Sequence, residues 1–389
     1  MNYLRRLSTR SLIVLAVAVV ALAGGSAAIA VAAGGGGPTP PPKALDQAIH
    51  DALAAPAPDG VTARIRFTNK LFPSGALVGQ AGSALMSGAS GRLWVTNDGR
   101  GRLELQSNAG DVQVVWNAKT ISVYDASSNT VYRADLPAGT NTNPDRGAPP
   151  TLAEIDSFLT DLGLHWAISA AEPTDVAGQA AYGASASPKH DGGLLASVGL
   201  AWDAVRGVPL RLGVYAQGSS APVLELAVTD IAYGAVPSSD VDVAPPAGAK
   251  VVDLGTASHA DHADKGAAGT PAVTGLDAVT AAAGFPVVAP DSLVGLPRKD
   301  VRLVGGDTVL VLYGQGLGGI AVVERKADTS GGGGGALSSL PSVSLDGLTA
   351  HELATQLGTV LEWQTGGTSF VLAGSLPPAA AEAAARAVR

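Results

Sequence analysis

Residues 91–133 read GRLWVTNDGRGRLELQSNAGDVQVVWNAKTISVYDASSNTVYR, and their pattern sets the architecture of the chain. Polar and apolar side chains alternate at 102–106, 112–116 and 120–124, which is typical of strands with one buried face. Turn-forming residues lie between such segments, namely Asp98-Gly99, the run 108–111 and Asn129. The pattern predicts four short strands in an antiparallel meander with one apolar face.

The composition narrows the class of protein. A length of 389 residues leaves room for two domains, and 46% hydrophobic residues allow a sizeable core. A net charge of −8 argues against a nucleic-acid partner, because such binding depends on Lys and Arg at phosphates. The chain has no cysteine, which excludes disulfides, thiolate metal sites, a cysteine nucleophile and acylation of an N-terminal cysteine.

The N-terminus has the character of an export signal. Arg5, Arg6 and Arg10 precede an apolar run that continues, with a break at 24–26, to Ala33. This pattern fits a cleaved secretory signal. It also fits an uncleaved anchor, because residues 12–33 are long enough to span a bilayer, and we favour this second interpretation. In both cases we expect the bulk of the chain outside the cytoplasm, anchored in the cell membrane or secreted.

Shifts in composition divide the rest of the chain. Residues 34–42 are a Gly/Pro tether, so residues 1–43 comprise the signal or anchor and this tether. Residues 44–253 are predicted to form a large antiparallel sheet with covering helices. One of these helices is 151–162, which carries a capping box from Thr151 and Glu154. A polar linker at 254–274 leads to a smaller α+β domain at 275–389, so the fold class is α+β.

Four short motifs in the first domain resemble the LolA-like lipoprotein-carrier superfamily. They are Asp175–Tyr182 (DVAGQAAY), Trp202-Asp203, Val208–Arg211 (VPLR) and Pro245–Gly248 (PPAG). The resemblance covers most of residues 44–253. It implies a curved, incomplete antiparallel barrel whose mouth is plugged by helices. It also implies an apolar cavity for an acyl chain or a hydrophobic peptide.

The second domain resembles the small C-terminal domain of RseB-like sigma-factor regulators. The matching segments are Gly284–Pro286 (GFP), Leu312–Gly316 (LYGQG), Ile320–Val323 (IAVV) and Val371–Pro377 (VLAGSLP). The order of the two domains is also that of RseB-like proteins. This resemblance implies a sensor of envelope stress that modulates a membrane anti-sigma factor.

The apolar side of the predicted sheet has two interpretations, because core and cavity lining both require apolar side chains. It forms an ordinary core with the helices, or part of it lines a ligand cavity, as the LolA resemblance implies. The candidate lining residues are Leu93, Val95, Leu103, Leu105, Val112, Val114, Trp116, Ile121, Val123, Val131, Leu210, Leu212, Val214, Leu224, Leu226 and Val228.

Chemical motifs are few. The run 259–264 (HADHAD) has side chains that ligate divalent metals, but its Gly/Ala surroundings favour a solvated linker. The run 314–319 (GQGLGG) resembles a phosphate loop, but strand-like residues follow it, so we expect a hairpin turn. No Gly-x-Ser-x-Gly elbow occurs. We therefore expect no enzyme, catalytic residues, metal or cofactor. The predicted function is binding of lipid or of lipoprotein acyl chains, and the alternative is the RseB-like sensor.

Overall fold

The computed structural model describes residues 37–71, 84, 88–108, 110–136, 149–256, 273–304, 306–327 and 340–388. The chain divides into two compact units. The larger unit contains Met1–Lys70, Gln80–Lys189 and Ala196–His259. The smaller unit contains Leu71–Gly79, His190–Leu195 and Ala260–Arg389. Both units are mostly sheet with few helices, and their curved sheets are open rather than closed into barrels, which confirms the predicted α+β class.

The larger unit is built on one sheet of thirteen strands. In chain order these are β1 Gly60–Asn69, β2 Ala89–Thr96, β3 Gly101–Gln106, β4 Val112–Trp116, β5 Thr120–Asp125, β6 Thr130–Asp135, β7 Trp166–Ile168, β8 Glu172–Val176, β9 Gln179–Pro188, β10 Leu195–Asp203, β11 Pro209–Ala216, β12 Leu224–Tyr233 and β13 Lys250–Thr256. Their spatial order is β13-β6-β5-β4-β3-β2-β1-β12-β11-β10-β9-β7, and β8 pairs with β9. The meander predicted from residues 91–133 thus forms the middle of one half of the sheet.

The meander contains five strands, β2 to β6, rather than the four predicted. The additional turn lies at 117–119, which has no glycine, unlike the turns at 98–99 and 108–111. The Asn117 side-chain oxygen accepts hydrogen bonds from the backbone amides of Lys119 and Thr120, at 2.8 and 2.9 Å. An asparagine side chain of this kind replaces the usual turn residues.

One edge of the sheet departs from the predicted antiparallel arrangement. Strand β13 pairs with β6 in parallel, with Lys250 beside Thr130 and Val252 beside Tyr132. The chain therefore returns from β12 to the far edge of the meander after the short helix α3, Ser238–Val241. This long-range pairing has no local signature in the sequence.

The larger unit also contains α1, Leu45–Ala54, and α2, Leu152–Gly163. Helix α1 packs through Ala48 against Tyr182 of β9 and Trp202 of β10. Helix α2 begins with the predicted capping box, in which Thr151 and Glu154 bond reciprocally, but Ile155 is its one fully buried residue. Both helices therefore leave much of the meander uncovered by their own side chains.

Part of the predicted tether lies against the larger unit. The Tyr182 hydroxyl donates a hydrogen bond of 2.7 Å to the carbonyl of Pro41. The Lys43 ammonium lies 5.5 Å from the centre of the Tyr182 ring and forms a 2.5 Å ion pair with Asp51. The polypeptide is therefore held at Pro41, immediately before α1.

The smaller unit is built on a sheet of eight strands with order β14-β15-β16-β17-β21-β20-β19-β18. These are β14 Ser292–Leu293, β15 Leu296–Val304, β16 Thr308–Tyr313, β17 Ile320–Lys326, β18 Ser342–Leu345, β19 Leu348–Thr355, β20 Gly358–Thr365 and β21 Thr368–Gly374. Two helices pack on one face, α4 Leu276–Ala282 and α5 Pro378–Arg386. The Gly-rich run 314–319 joins β16 to its antiparallel neighbour β17, which confirms the predicted hairpin.

Three predictions fall on residues outside the described ranges. They concern the export signal or anchor at 12–33, most of the linker at 254–274 and the HADHAD run at 259–264. None of the helices in the described residues combines the length and hydropathy needed to cross a membrane. Within the same residues, no group of three or more His, Asp and Glu side chains is placed to hold a metal ion.

Candidate ligand-binding face

Cross-strand pairing shows which side chains share a face of the larger sheet, because residues directly opposite each other point to the same side. Leu93 of β2 lies opposite Ala63 of β1 and Leu103 of β3. Leu103 in turn lies opposite Val114, and Val114 lies opposite Val123. These five residues form an apolar row that crosses five neighbouring strands.

A second row runs beside the first through Val228, Ile65, Gly91, Leu105 and Val112. Gly91 is required in this row, because a Cβ at that position would collide with the carbonyl of Glu104. Both rows belong to one hydrophobic cluster, which we call the apolar face. Its members are Val61, Ala63, Ile65, Phe67, Ala84, Ala89, Leu93, Val95, Leu103, Leu105, Val112, Val114, Val123, Val208, Val228, Ile231 and Tyr233.

The apolar face is incompletely covered. Six of its residues are fully buried: Val61, Ala63, Ile65, Ala84, Leu105 and Val112. The other eleven are partly exposed, including Leu93, Leu103, Val114 and Val123 of the first row. This apolar surface remains in contact with water. A water-insoluble ligand that covers it would remove it from water, which is thermodynamically favourable.

Eight of the candidate lining residues belong to the apolar face: Leu93, Val95, Leu103, Leu105, Val112, Val114, Val123 and Val228. Others lie on the same side of the sheet by pairing or alternation, although outside this cluster: Trp116, Ile121, Leu210, Leu212, Val214, Leu224 and Leu226. Their environments differ, since Leu210 is buried and Leu226 is 38% exposed.

Val131 is the exception among the candidates. It pairs with Tyr124, which pairs with Gln113 on the opposite side of the sheet. The structure therefore places Val131 on the other face, where it is buried. The sequence around it reads Val131-Tyr132, and two adjacent apolar residues do not reveal which of them points inward.

Part of the apolar face lies outside the set of lining residues predicted from the sequence. Strand β1 contributes Val61, Ala63, Ile65 and Phe67, whose alternation is visible in the sequence. Strand β12 adds Ile231 and Tyr233. They lie on the same side as Leu226 and Val228 although the two-residue alternation of the strand is interrupted between 228 and 231. The cause is a bulge, because the pairing of β1 with β12 shifts between Arg64 and Ile65.

An aromatic side chain lies at one end of the apolar face. Trp116 is directly opposite Gly101, and its ring occupies the space that a Cβ of Gly101 would take. The Trp116 side chain is half-buried. Glycine at position 101 therefore allows a large aromatic ring to lie flat on the sheet.

The Trp202-Asp203 pair organises the β10–β11 hairpin. Asp203 is 2% exposed, and its carboxylate accepts hydrogen bonds from the amides of Val205 and Arg206, at 2.8 and 2.7 Å. It also accepts a 2.6 Å bond from the Tyr233 hydroxyl. Burial and this bond raise the pKa of Tyr233 well above its usual value. These hydrogen bonds stabilise the β10–β11 hairpin and connect it to β12.

The smaller unit has an open groove of about 690 Å³, away from the face predicted from the sequence. Helix α4, the extended segment 287–290 and Ala387 form its walls, and the lining is mostly apolar. Leu276 and Val288 contribute apolar surface, and Asp277 contributes a charge. The groove combines segments that are distant in sequence, so no local pattern of residues indicates it.

A buried carboxyl lies behind this groove. Glu324 of β17 is fully buried, with Val309 and Phe370 directly opposite it on the neighbouring strands. The amide of Val288, a groove residue, donates a 2.9 Å hydrogen bond to one carboxyl oxygen. The other oxygen has no partner among the described residues. Burial raises the pKa of Glu324 to about 7.

Comparisons with known proteins give no match at the level of sequence families. No family model matches the chain, and no curated protein matches it. Solved structures do match. MucB in complex with MucA(peri) has 16% identity and a TM-score of 0.41, and the match covers 89% of this chain and 96% of that chain. The MucA/MucB complex of Pseudomonas aeruginosa has 15% identity and a TM-score of 0.42, over 88% and 96% of the chains.

A shorter match involves the LolA superfamily protein NE2245 from Nitrosomonas europaea. It has 8% identity and a TM-score of 0.23, and it covers 52% of this chain and 98% of that chain. The chain is thus similar to MucB along most of its length and to a LolA superfamily protein over about half of it.

Proposed function

We propose that the larger unit binds the apolar part of a lipid, or the acyl chain of a lipoprotein, on the apolar face and outside the cytoplasm. The observation that carries this proposal is the set of eleven hydrophobic side chains on that face that remain partly exposed. Each methylene of a ligand that they cover contributes about 0.8 kcal/mol. An acyl chain therefore binds without a charged partner in the site, and no catalysis is involved.

The export-signal pattern at residues 5–33 supports a location outside the cytoplasm, and the LolA-like motifs agree with the proposed ligand. A natural ligand should remain bound through detergent-free purification. Mass spectrometry of the organic extract should detect a lipid in a stoichiometric amount. An extract without lipid, from protein that also fails to bind an added fatty acid, would contradict the proposal.

A matched pair of variants tests the position of the ligand. Val114→Glu puts a charge in the centre of the apolar face and should abolish lipid retention. Val115→Glu puts the same charge on the next residue of β4, which points to the opposite side, and should retain lipid. Leu103→Trp fills the face without a charge, so it separates loss of space from loss of folding. Equal retention by Val114→Glu and Val115→Glu, with both variants folded, would exclude this face.

We propose as the alternative function a sensor that contacts a membrane protein, such as an anti-sigma factor, through the smaller unit. The supporting observation is the groove lined by α4 and residues 287–290. Ala281 is exposed on its wall, so Ala281→Arg in the full chain should block a partner while leaving the core intact. Crosslinking from Thr280 should capture a membrane protein from the host envelope. The same partner captured equally from the exposed Thr349 on β19 would refute a role for the groove.

A further inference from the structure

The side of the larger sheet opposite the apolar face carries exposed arginines. Arg64 of β1 and Arg92 of β2 lie directly opposite each other, and Arg66 follows two residues later on the same side of β1. All three are exposed. We call these three residues the arginine face. Like charges directly opposite each other destabilise a sheet, so their arrangement is unfavourable for folding alone.

The acidic residues on this side do not neutralise the arginine face. Glu104 lies opposite Arg92, but its carboxylate is in close contact with Arg102. Asp230 lies opposite Arg64, with 4.0 Å between the Arg64 Nε and the Asp230 Oδ2. The Asp230 side chain is 71% exposed and the Arg64 side chain is 66% exposed, so water screens the attraction between them.

Arg66 and Arg92 have no ion-pair partner among the described residues. Glu225 is farther along the same side and pairs with Arg211 at 2.6 Å. A positive surface therefore remains on a protein whose net charge is −8.

We propose that the arginine face binds the anionic surface of a membrane through lipid phosphate groups. Guanidinium groups match phosphate oxygens in geometry and charge. The three arginines project from an open sheet rather than into a pocket, and a plane of head groups presents phosphates in the same manner. A plane of anionic head groups repels a protein with net charge −8 in most orientations. A local positive face therefore favours the orientation in which this face is turned toward the membrane.

The length of the chain before Pro41 favours a membrane over an acidic protein as the partner. Pro41 is fixed by Tyr182 and lies eight positions after Ala33, the end of the apolar run. A fully extended chain of this length reaches roughly 28 Å. Because the sequence pattern favours an anchor at residues 12–33, the larger unit would then lie close to the head groups. The apolar face is on the other side of the same strands and stays accessible.

The absence of cysteine in the chain permits a single-label experiment. Ser90 is exposed on β2 opposite Arg66, so Ser90→Cys carries a dye on the arginine face. The full-length protein is reconstituted into vesicles of phosphatidylcholine, alone or mixed with phosphatidylglycerol, that contain a quencher on the head groups. Quenching should increase with the phosphatidylglycerol content and should fall at high salt.

Two triple variants provide the comparison. Arg64→Gln, Arg66→Gln and Arg92→Gln together should lower the ratio of bound to unbound orientation by about fivefold for each arginine removed. Lys119→Gln, Lys189→Gln and Lys250→Gln remove the same charge from other exposed positions of the larger unit and should leave quenching unchanged. Equal quenching in both lipid mixtures, or equal loss in both triple variants, would overturn the proposal.

Two further outcomes separate this proposal from its alternatives. If the arginine variant loses binding to a polyglutamate peptide while vesicle quenching persists, the face recognises an acidic protein instead, and the proposal fails. If the wild-type protein does not float with phosphatidylcholine vesicles, the anchoring fails. In that case, binding of the wild-type protein that increases with the phosphatidylglycerol content still supports the arginine face, and binding that does not increase contradicts it.

Discussion

The two sheets of this protein differ in how completely their apolar faces are covered. In the smaller unit, nineteen hydrophobic residues are buried in one cluster and eleven more pack partly exposed against it. On the apolar face of the larger unit, six are buried and eleven are partly exposed. Both faces come from the same alternation in the sequence, so the difference lies in the helices.

The helices of the smaller unit fit closely against their sheet. Helix α5 buries Ala381, Ala384 and Ala385, small residues that let a helix approach the strands, and α4 buries Val279. In the larger unit, α1 packs on β9 and β10 rather than on the meander, and α2 buries Ile155 alone among its residues. Among the described residues, α1 and α2 therefore leave apolar surface on the meander that a ligand could cover.

The largest expected effect concerns the closely packed sheet of the smaller unit. Trp363 is 2% exposed and stacks on Phe370 with ring centres 5.2 Å apart. Trp363→Ala should lower the free energy of unfolding of the smaller unit by about 3–5 kcal/mol, because it leaves a cavity. Hydrogen exchange resolved by peptide measures this value for each unit separately. Trp94→Ala, at a half-buried tryptophan of the larger unit, is the control. It should lower the free energy of unfolding of that unit by much less.

A second effect concerns the buried carboxyl of the smaller unit. The pKa of Glu324 is raised from 4.5 to about 7 by burial, so folding disfavours its ionised form. Stability should be highest below pH 4.5, should fall by about 3 kcal/mol as the pH rises to 7, and should then level off. Tyr313, a neighbouring titratable group, stays neutral in this range because burial raises its pKa to about 12.

Glu324→Gln provides the control for this pH dependence. The amide oxygen still accepts the Val288 hydrogen bond but does not ionise, so this variant should lose most of the decline between pH 4.5 and 7. Burial also raises the pKa of Glu352 in the same unit, which accounts for the part that remains. Hydrogen exchange of peptides from the smaller unit, followed across this range, measures the effect. An unchanged decline in the variant would assign the pH dependence to other groups.

The third prediction tests the open face. Leu103 is partly exposed, so Leu103→Ala removes less buried area than a core substitution and should destabilise the larger unit by about 1–1.5 kcal/mol. Leu361→Ala in the smaller unit, where the side chain is fully buried, should cost about 2–5 kcal/mol. Equal losses at the two leucines would show that the apolar face is as tightly packed as the core of the smaller unit.

The smallest effect concerns α2, which has little packing to stabilise it. The Thr151 hydroxyl accepts a hydrogen bond from the Glu154 amide, and the Glu154 carboxylate accepts one of 2.8 Å from the Thr151 amide. Thr151→Ala should destabilise the helix by about 1 kcal/mol. Amide exchange within 152–163 should accelerate accordingly, and exchange in α5 should not change.

The sequence predicted those features that depend on neighbours along the chain. Alternation in residues 102–124 identified three strands and their apolar side, and the capping box located the start of α2. Features that depend on distant pairing were missed. The phase at Val131, the bulge beside Arg64 and the parallel pairing of β13 with β6 follow from contacts between strands. The incomplete cover of the apolar face likewise depends on where α1 packs.

The ring of Trp116 over Gly101 gives the protein an intrinsic optical reporter. Three of the five tryptophans, Trp166, Trp202 and Trp363, are buried and therefore insensitive to events at the sheet surface. Trp116 lies on the same side of the sheet as the apolar face. Trp94 lies on the opposite side, where the Arg102 guanidinium carbon is 5.1 Å from the centre of its ring. Occupancy of the apolar face should shift the emission of Trp116 to shorter wavelength, so ligands can be screened by titration without any attached dye.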